Sequence, residues 1–275
     1  MNYHIIVLLL ALLMSGCINQ PVEPVAVDVL LPFTPVKNQG STSTCWAYAM
    51  LSTIETEHIL RGDSVHLSVA FIEQAMERDS LAPASKRAIA PTTITMLEHY
   101  GMVPYDAMPY SDIPLPHKAF FFGCEYTLHE FARSVCAPGE YISFCTDGEQ
   151  PWGRKVLLNV PDNWEHQRML NLPPRALLLL AERAIENRHP VCWEGDTSER
   201  GFRFDDGYAV TGLINGSTSD NHCMAIVGIA HDAAGQKYFI MKNSWGRGNA
   251  LGGLMLMSFD YFLSKTILIT LPRHI

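Results

Sequence analysis

Pro35-Val36-Lys37-Asn38-Gln39-Gly40-Ser41-Thr42-Ser43-Thr44-Cys45-Trp46-Ala47-Tyr48-Ala49 is the stretch from which the rest of the chain is read. Turn-forming polar residues run straight into Cys45, and an apolar helical pattern follows to Leu60, with Gly62 as its stop. Thr44 is placed to act as N-cap, which puts Cys45 in the first turn. A thiol there feels the positive end of the helix dipole and unpaired backbone N–H groups. Both favour thiolate, the nucleophilic form of cysteine. Gln39 lies on the loop side, where its amide can face an oxyanion formed beside the sulfur. The plainer reading is a buried, inert cysteine at a helix start, so the decision passes to the C-terminal third.

Composition narrows the field. The chain has 275 residues, 48% hydrophobic and 17% charged, which suits one large domain or two lobes around a cleft. The net charge is −8, and no Lys/Arg run is dense enough for a nucleic-acid partner. Seven cysteines are present, none in Cys-x-x-Cys spacing, so neither a structural metal nor a cofactor is expected. Setting aside Cys17 and Cys45 leaves Cys124, Cys136, Cys145, Cys192 and Cys223, an odd number whose pairing spacing cannot assign.

Residues 1–16 read as a targeting segment. Ile5 to Met14 is an unbroken apolar run too short to span a bilayer. Leu13-Met14-Ser15-Gly16-Cys17 resembles a bacterial lipobox, which implies lipidation of Cys17 and a membrane-surface anchor in the bacterial cell envelope. Residues 17–31 read as a tether with a lead-in strand, and residues 32–275 as the folded domain.

Within that domain the first part is helical. A second helix is expected over Leu67 to Met76 with Ser68 as N-cap, and a third over Pro91 to Tyr100, ended by Gly101. Pro104 to Gln167 is rich in aromatics, prolines and glycines, with strand-like runs at Tyr141 to Phe144 and Lys155 to Leu158. It reads as an elaboration on the core. Pro173 to Arg188 is a helix, whose four consecutive leucines are assigned to the core. The remainder is strand-rich: Pro190 to Trp193, Cys223 to His231, Lys237 to Lys242, Leu254 to Met257 and Thr266 to Leu271, with a hairpin turn at Asp232-Ala233-Ala234-Gly235. Helices first and antiparallel strands last imply an α+β fold with a helical lobe against a sheet lobe.

His222 opens one of those strands, and Asn243 closes the next in Lys242-Asn243-Ser244-Trp245-Gly246. The hairpin brings these two strand ends together. Asn243 can then orient the His222 imidazole, which serves as base and later as proton donor. Trp245 can cover that hydrogen bond. Each residue alone has an ordinary structural explanation; the order Gln39, Cys45, His222, Asn243 in these contexts does not.

That order resembles the papain-family cysteine peptidases. The resemblance implies a papain-like two-lobe fold with Gln39 in the oxyanion hole, Cys45 as nucleophile, His222 as base and Asn243 as orienting residue. Trp46 and Trp245 match the tryptophans that flank the family's cleft. The interval from Cys45 to His222 exceeds the roughly 130–150 residues usual in the family, and the stretch from Pro104 to Gln167 accounts for the excess. Tyr100-Gly101-Met102-Val103-Pro104, Pro161-Asp162-Asn163-Trp164, Asn171-Leu172-Pro173 and Val191 to Phe202 are most similar to the bleomycin hydrolase and aminopeptidase C branch. That branch implies aminopeptidase activity on peptide substrates and a cage-like homo-oligomer.

The chain also departs from the family pattern. Ser43 stands where a glycine is usual, and Arg87 and Ala88 stand at a glycine pair that lets a substrate backbone lie in the cleft. The chain stops at Leu271-Pro272-Arg273-His274-Ile275, about where the branch's C-terminal arm would begin, which leaves exopeptidase restriction and the oligomer open. Two other functions share this site: a silent peptide-binding protein, motivated by the lost glycines, and an acyl-transferase using the same Cys/His/Asn chemistry.

Overall fold

The computed structural model describes residues 25–211 and 218–274. The expected targeting segment and the expected lipidation site Cys17 lie outside them, and no helix among the described residues is long and apolar enough to cross a membrane. The architecture is mixed helix and sheet, in the papain-like arrangement expected from the sequence.

The first strand, β1 (Ala26–Leu30), pairs antiparallel with β10 (His222–His231), with Ala26 opposite His231 and Leu30 opposite Gly228. The described end of the expected tether is therefore part of the sheet. Next comes α1 (Cys45–Arg61), closed by Gly62 at φ 95°, a left-handed conformation that glycine adopts at low cost. Nearly every residue from Trp46 to His58 is buried. A helix covered on all sides is central rather than amphipathic, and α1 lies against β10 and β7 (Val191–Gly195). Thr44 precedes it, but its hydroxyl makes no cap. It donates to Glu73 Oε1 at 2.8 Å instead, a partner supplied by the neighbouring helix.

That neighbour is α2 (Val69–Arg78), capped as expected by Ser68, which accepts from the Phe71 N–H at 3.1 Å. Helix α3 (Thr92–Tyr100) ends at Gly101, where a Cβ would meet Leu128 Cβ at 2.5 Å. Leu128 opens α4 (Leu128–Val135), a helix not expected from the sequence although Thr127-x-x-Glu130 forms a full capping box ahead of it. A small hairpin, β2 (Ala119–Phe121) with β3 (Cys124–Tyr126), precedes it.

The stretch read as an elaboration is more integral than expected. It supplies β4 (Tyr141–Cys145) and β5 (Lys155–Leu157), and β6 (Arg168–Asn171) follows directly. Strand β4 pairs with β13 (Thr266–Pro272) and extends the main sheet. Helix α5 (Pro174–Glu186) starts with proline at N1 and buries Leu177, Leu178, Ala181, Ala184 and Ile185. Leu179 is 54% exposed. At about 100° per residue, four consecutive side chains cannot all face one core, so the all-core reading of the leucine run is corrected.

The main sheet runs β5-β6-β4-β13-β7-β10-β11-β12-β9-β8 with β1 added on β10, where β8 is Phe202–Arg203, β9 Tyr208–Ala209, β11 Lys237–Lys242 and β12 Leu254–Ser258. The short helix α6 (Phe259–Lys265) joins β12 to β13. The β10–β11 hairpin turns at Asp232, whose Oδ1 accepts from the Ala234 and Gln236 N–H groups at 2.9 Å. Its register pairs Ala225 with Lys242 at the far end. His222 and Asn243 therefore emerge together at that end of the hairpin.

Candidate active site

Asn243 is 2% and His222 3% exposed. His222 Nε2 lies 2.8 Å from Asn243 Oδ1, and the Ser244 N–H donates to the same oxygen at 2.7 Å. Two approaches to one atom identify it as the acceptor, so Nε2 carries the proton. That tautomer leaves Nδ1 for the sulfur. The Trp245 ring covers the imidazole, with centroids 4.6 Å apart, and Phe202 and Phe204 meet Trp245 edge-on at 5.6 and 5.3 Å. The His222–Asn243 bond is thus screened from water, as the sequence suggested for Trp245.

Cys45 sits at the start of α1, partly exposed, near enough to Cys223 and His222 for both to act on its thiol. It titrates well below the ordinary thiol range. The largest cause is the hydrogen bond from the Cys223 thiol. Burial works against it, and the hydrogen bond and charge of His222 add to it. Cys223 itself is pushed well up, mainly by burial, so it remains a thiol and a donor. Sequence reading left Cys223 among the unassigned cysteines; adjacency to His222 on a strand was the one available signal. All six described cysteines are unpaired.

Replacing Cys223 by alanine should therefore raise the pH at which Cys45 becomes reactive. The rate of iodoacetamide alkylation against pH reads this directly. Cys223→Ser, which keeps a donor, should stay near wild type. An unmoved midpoint in Cys223→Ala would remove Cys223 from the site.

Gln39 is anchored on both sides of its amide. Nε2 donates to the Thr42 carbonyl at 2.7 Å, and Oε1 accepts from Ser244 Oγ at 2.6 Å. One N–H of the amide is thus used locally and the second is left for substrate. The backbone continues the same stitching. Gln39 N–H donates to Ser244 O at 2.7 Å, Gly246 N–H to Lys37 O at 3.1 Å, and Asn38 bridges Trp245. The loop before the nucleophile is laced to the loop after Asn243.

Trp46 departs from its expected place on the cleft wall. It is fully buried, and its indole N–H donates to the Lys86 carbonyl at 3.0 Å. It pins the loop before α3 instead of touching substrate. In that loop Arg87 grips Asp162 with two bonds, 3.0 and 2.6 Å, and donates to the Asp220 carbonyl at 2.8 Å. The position expected to be glycine carries a clamp between the lobes.

Beside Cys45 lies a carboxyl pair that sequence reading missed. Glu194 Oε2 accepts from the Ala90 N–H at 2.8 Å, while Glu194 Oε1 and Asp220 Oδ2 are buried with no other partner. Two buried carboxyls in each other's field disfavour both being ionised. Burial and the neighbouring Asp220 charge push Glu194 well up, and burial raises Asp220 to about 7.

Fold and site together give a papain-like arrangement that brings a cysteine, a histidine and an asparagine to one place. The papain family cysteine protease pattern matches residues 179–264. Cathepsin J of Mus musculus is 27% identical over 233 residues, 83% of this chain and 58% of that protein. Fruit bromelain of Ananas comosus is 23% identical, over 81% of this chain and 51% of its own length. The chain thus spans little more than half the length of these relatives. Among solved structures, PepW from Lactobacillus rhamnosis aligns with TM-score 0.70 at 14% identity, covering 98% of this chain and 89% of that one. Procathepsin L 3 of Tenebrio molitor aligns at 0.58 and 20%, covering 92% and 71%. The solved structures share the papain-like fold with this chain.

Proposed function

We propose that the chain is a cysteine peptidase acting through Cys45. The observation that carries this is one arrangement: Asn243 holds His222 at 2.8 Å, and His222 stands near enough to Cys45 to help hold its thiol ionised. The Cys45 thiolate attacks the scissile carbonyl carbon, and the carbonyl electron pair moves onto oxygen. The free N–H of Gln39 and the backbone N–H of Cys45, which has no acceptor within its helix, receive that oxyanion. Protonated His222 gives its proton to the leaving amine as the C–N bond breaks, and a thioester remains. Water, deprotonated by His222, then releases the acid and restores the thiolate.

Substrates are peptides, with a preference for free N-termini. The sequence resemblance to the aminopeptidase C branch supports that preference. The protein works at the bacterial cell envelope, on peptides there or outside the cell, held at a membrane surface through lipid on Cys17.

The test is a set of matched fluorogenic peptides, identical except for a free or acetylated N-terminus. Free amines should be cleaved faster. Equal cleavage of both would make it an endopeptidase. Binding without cleavage of either would leave the silent binder, and amide formation with an added amine would point to acyl transfer.

A further inference from the structure

We propose that Glu57, His189 and His274 form a binding site for a zinc-type divalent cation, on the opposite end of α1 from Cys45. The three residues come from distant parts of the chain. Glu57 is on the last turns of α1, His189 is in the turn between α5 and β7, and His274 follows β13. Their ligand atoms all lie within 4.8 Å of one another.

The chemistry of the set is selective. Two imidazoles and one carboxylate suit zinc and its neighbours in the first transition row, whereas calcium and magnesium require oxygen donors. Three protein ligands also leave a fourth position for water. The spacing fits as well. Zinc bonds of about 2.0–2.1 Å set the edges of a tetrahedral site at roughly 3.3 Å. His189 Nδ1 lies 3.1 Å from Glu57 Oε2, and His274 Nε2 lies 3.5 Å from Glu57 Oε1. The two rings stand at 89° with centroids 5.2 Å apart, so they converge on the carboxylate rather than stack.

Burial explains why the carboxylate is well placed. Its side chain is 3% exposed, against 21% for His189 and 52% for His274, so the site opens to solvent on the histidine side. Arg61 Nη2 touches Glu57 Oε1 at 3.3 Å but lies closer, 2.5 Å, to Glu140. Glu140 can hold that guanidinium when a cation takes the Glu57 oxygen. A bound ion would join α1, the α5–β7 turn and the end of β13 at one point. Cys-x-x-Cys rules could not find this set, because its members are neighbours in the fold alone.

Cobalt(II) is the probe, added to the full chain after chelation with EDTA. One ion per chain should bind, with the weak visible bands of nitrogen and oxygen ligation, and zinc should displace it. His189→Ala and His274→Ala should each weaken binding at least about tenfold. His274 is exposed, so its removal leaves folding undisturbed. A sulfur-to-metal charge-transfer band would place the ion on thiols such as Cys45 and Cys223 and overturn the proposal. So would binding that survives both histidine substitutions, or no binding to the wild type.

Discussion

Replacing Cys45 by alanine is expected to abolish peptide hydrolysis, a loss on the order of 10⁶-fold in turnover by comparison with loss of a triad nucleophile. The sulfur supplies the bond-forming electron pair, and nothing else in its surroundings can substitute. His222 is committed to Asn243 on one side, and Cys223 is held as a thiol. The fold should survive, because the side chain is partly exposed and alanine is the best helix former at a first-turn position. The measurement is turnover of the fluorogenic panel beside circular dichroism and the unfolding midpoint. Hydrolysis that persists in a folded Cys45→Ala protein would overturn the peptidase reading.

The second large effect concerns stability. Glu55 is completely buried on α1, behind the site. It accepts from Lys37 Nζ at 2.9 Å, from the Leu67 N–H at 2.8 Å and from the Thr34 hydroxyl. Lys242, one residue before Asn243, completes the group by donating to Thr34 at 2.9 Å and to Ser52 at 2.8 Å. Burial alone would push the Glu55 carboxyl up, but the charges of Lys37 and Lys242 outweigh it and hold the group ionised. Removing the acid strands two ammonium groups, one of them buried. Glu55→Ala should therefore cost roughly 3–5 kcal/mol, read by urea unfolding.

Activity should fall with it, because Lys37 leads into the Gln39 loop and Lys242 into Asn243. Glu55→Gln keeps the shape and the acceptor, so its cost should be smaller. A loss below about 1 kcal/mol in Glu55→Ala would show that the lysines find water or other partners. This network ties the nucleophile helix to both loops that face the sulfur. The Cys45 site is thus held from behind by charge as well as by packing.

Much of the helical lobe was legible. The stop at Gly62, the cap at Ser68 and the end at Gly101 are short-range signals, and each acts as expected. The failures have physical causes too. Thr44 was read from its neighbours in sequence, but Glu73 on another helix outcompeted the helix end for its hydroxyl. The leucine run of α5 wraps around the helix, so Leu179 faces solvent while Leu177 and Leu178 are buried. The Thr127–Glu130 box was present and unread among prolines and aromatics. Trp46 matched a family position, yet a side chain's neighbours decide whether it lines a cleft, and here they bury it.

By itself the sequence determined which residue types could do the chemistry, the order in which they occur, and the helix and strands that carry them. These follow from propensity, capping and periodicity, which act over a few residues. Only the tertiary structure decided which groups meet. The pairing of Ala225 with Lys242 sets His222 beside Asn243, and the packing of α1 on β10 brings Cys223 to Cys45. The same packing brings the Glu57 carboxylate under two histidines from remote turns. Such contacts depend on strand register and on how helix and sheet bury each other's surfaces, and no local pattern encodes either.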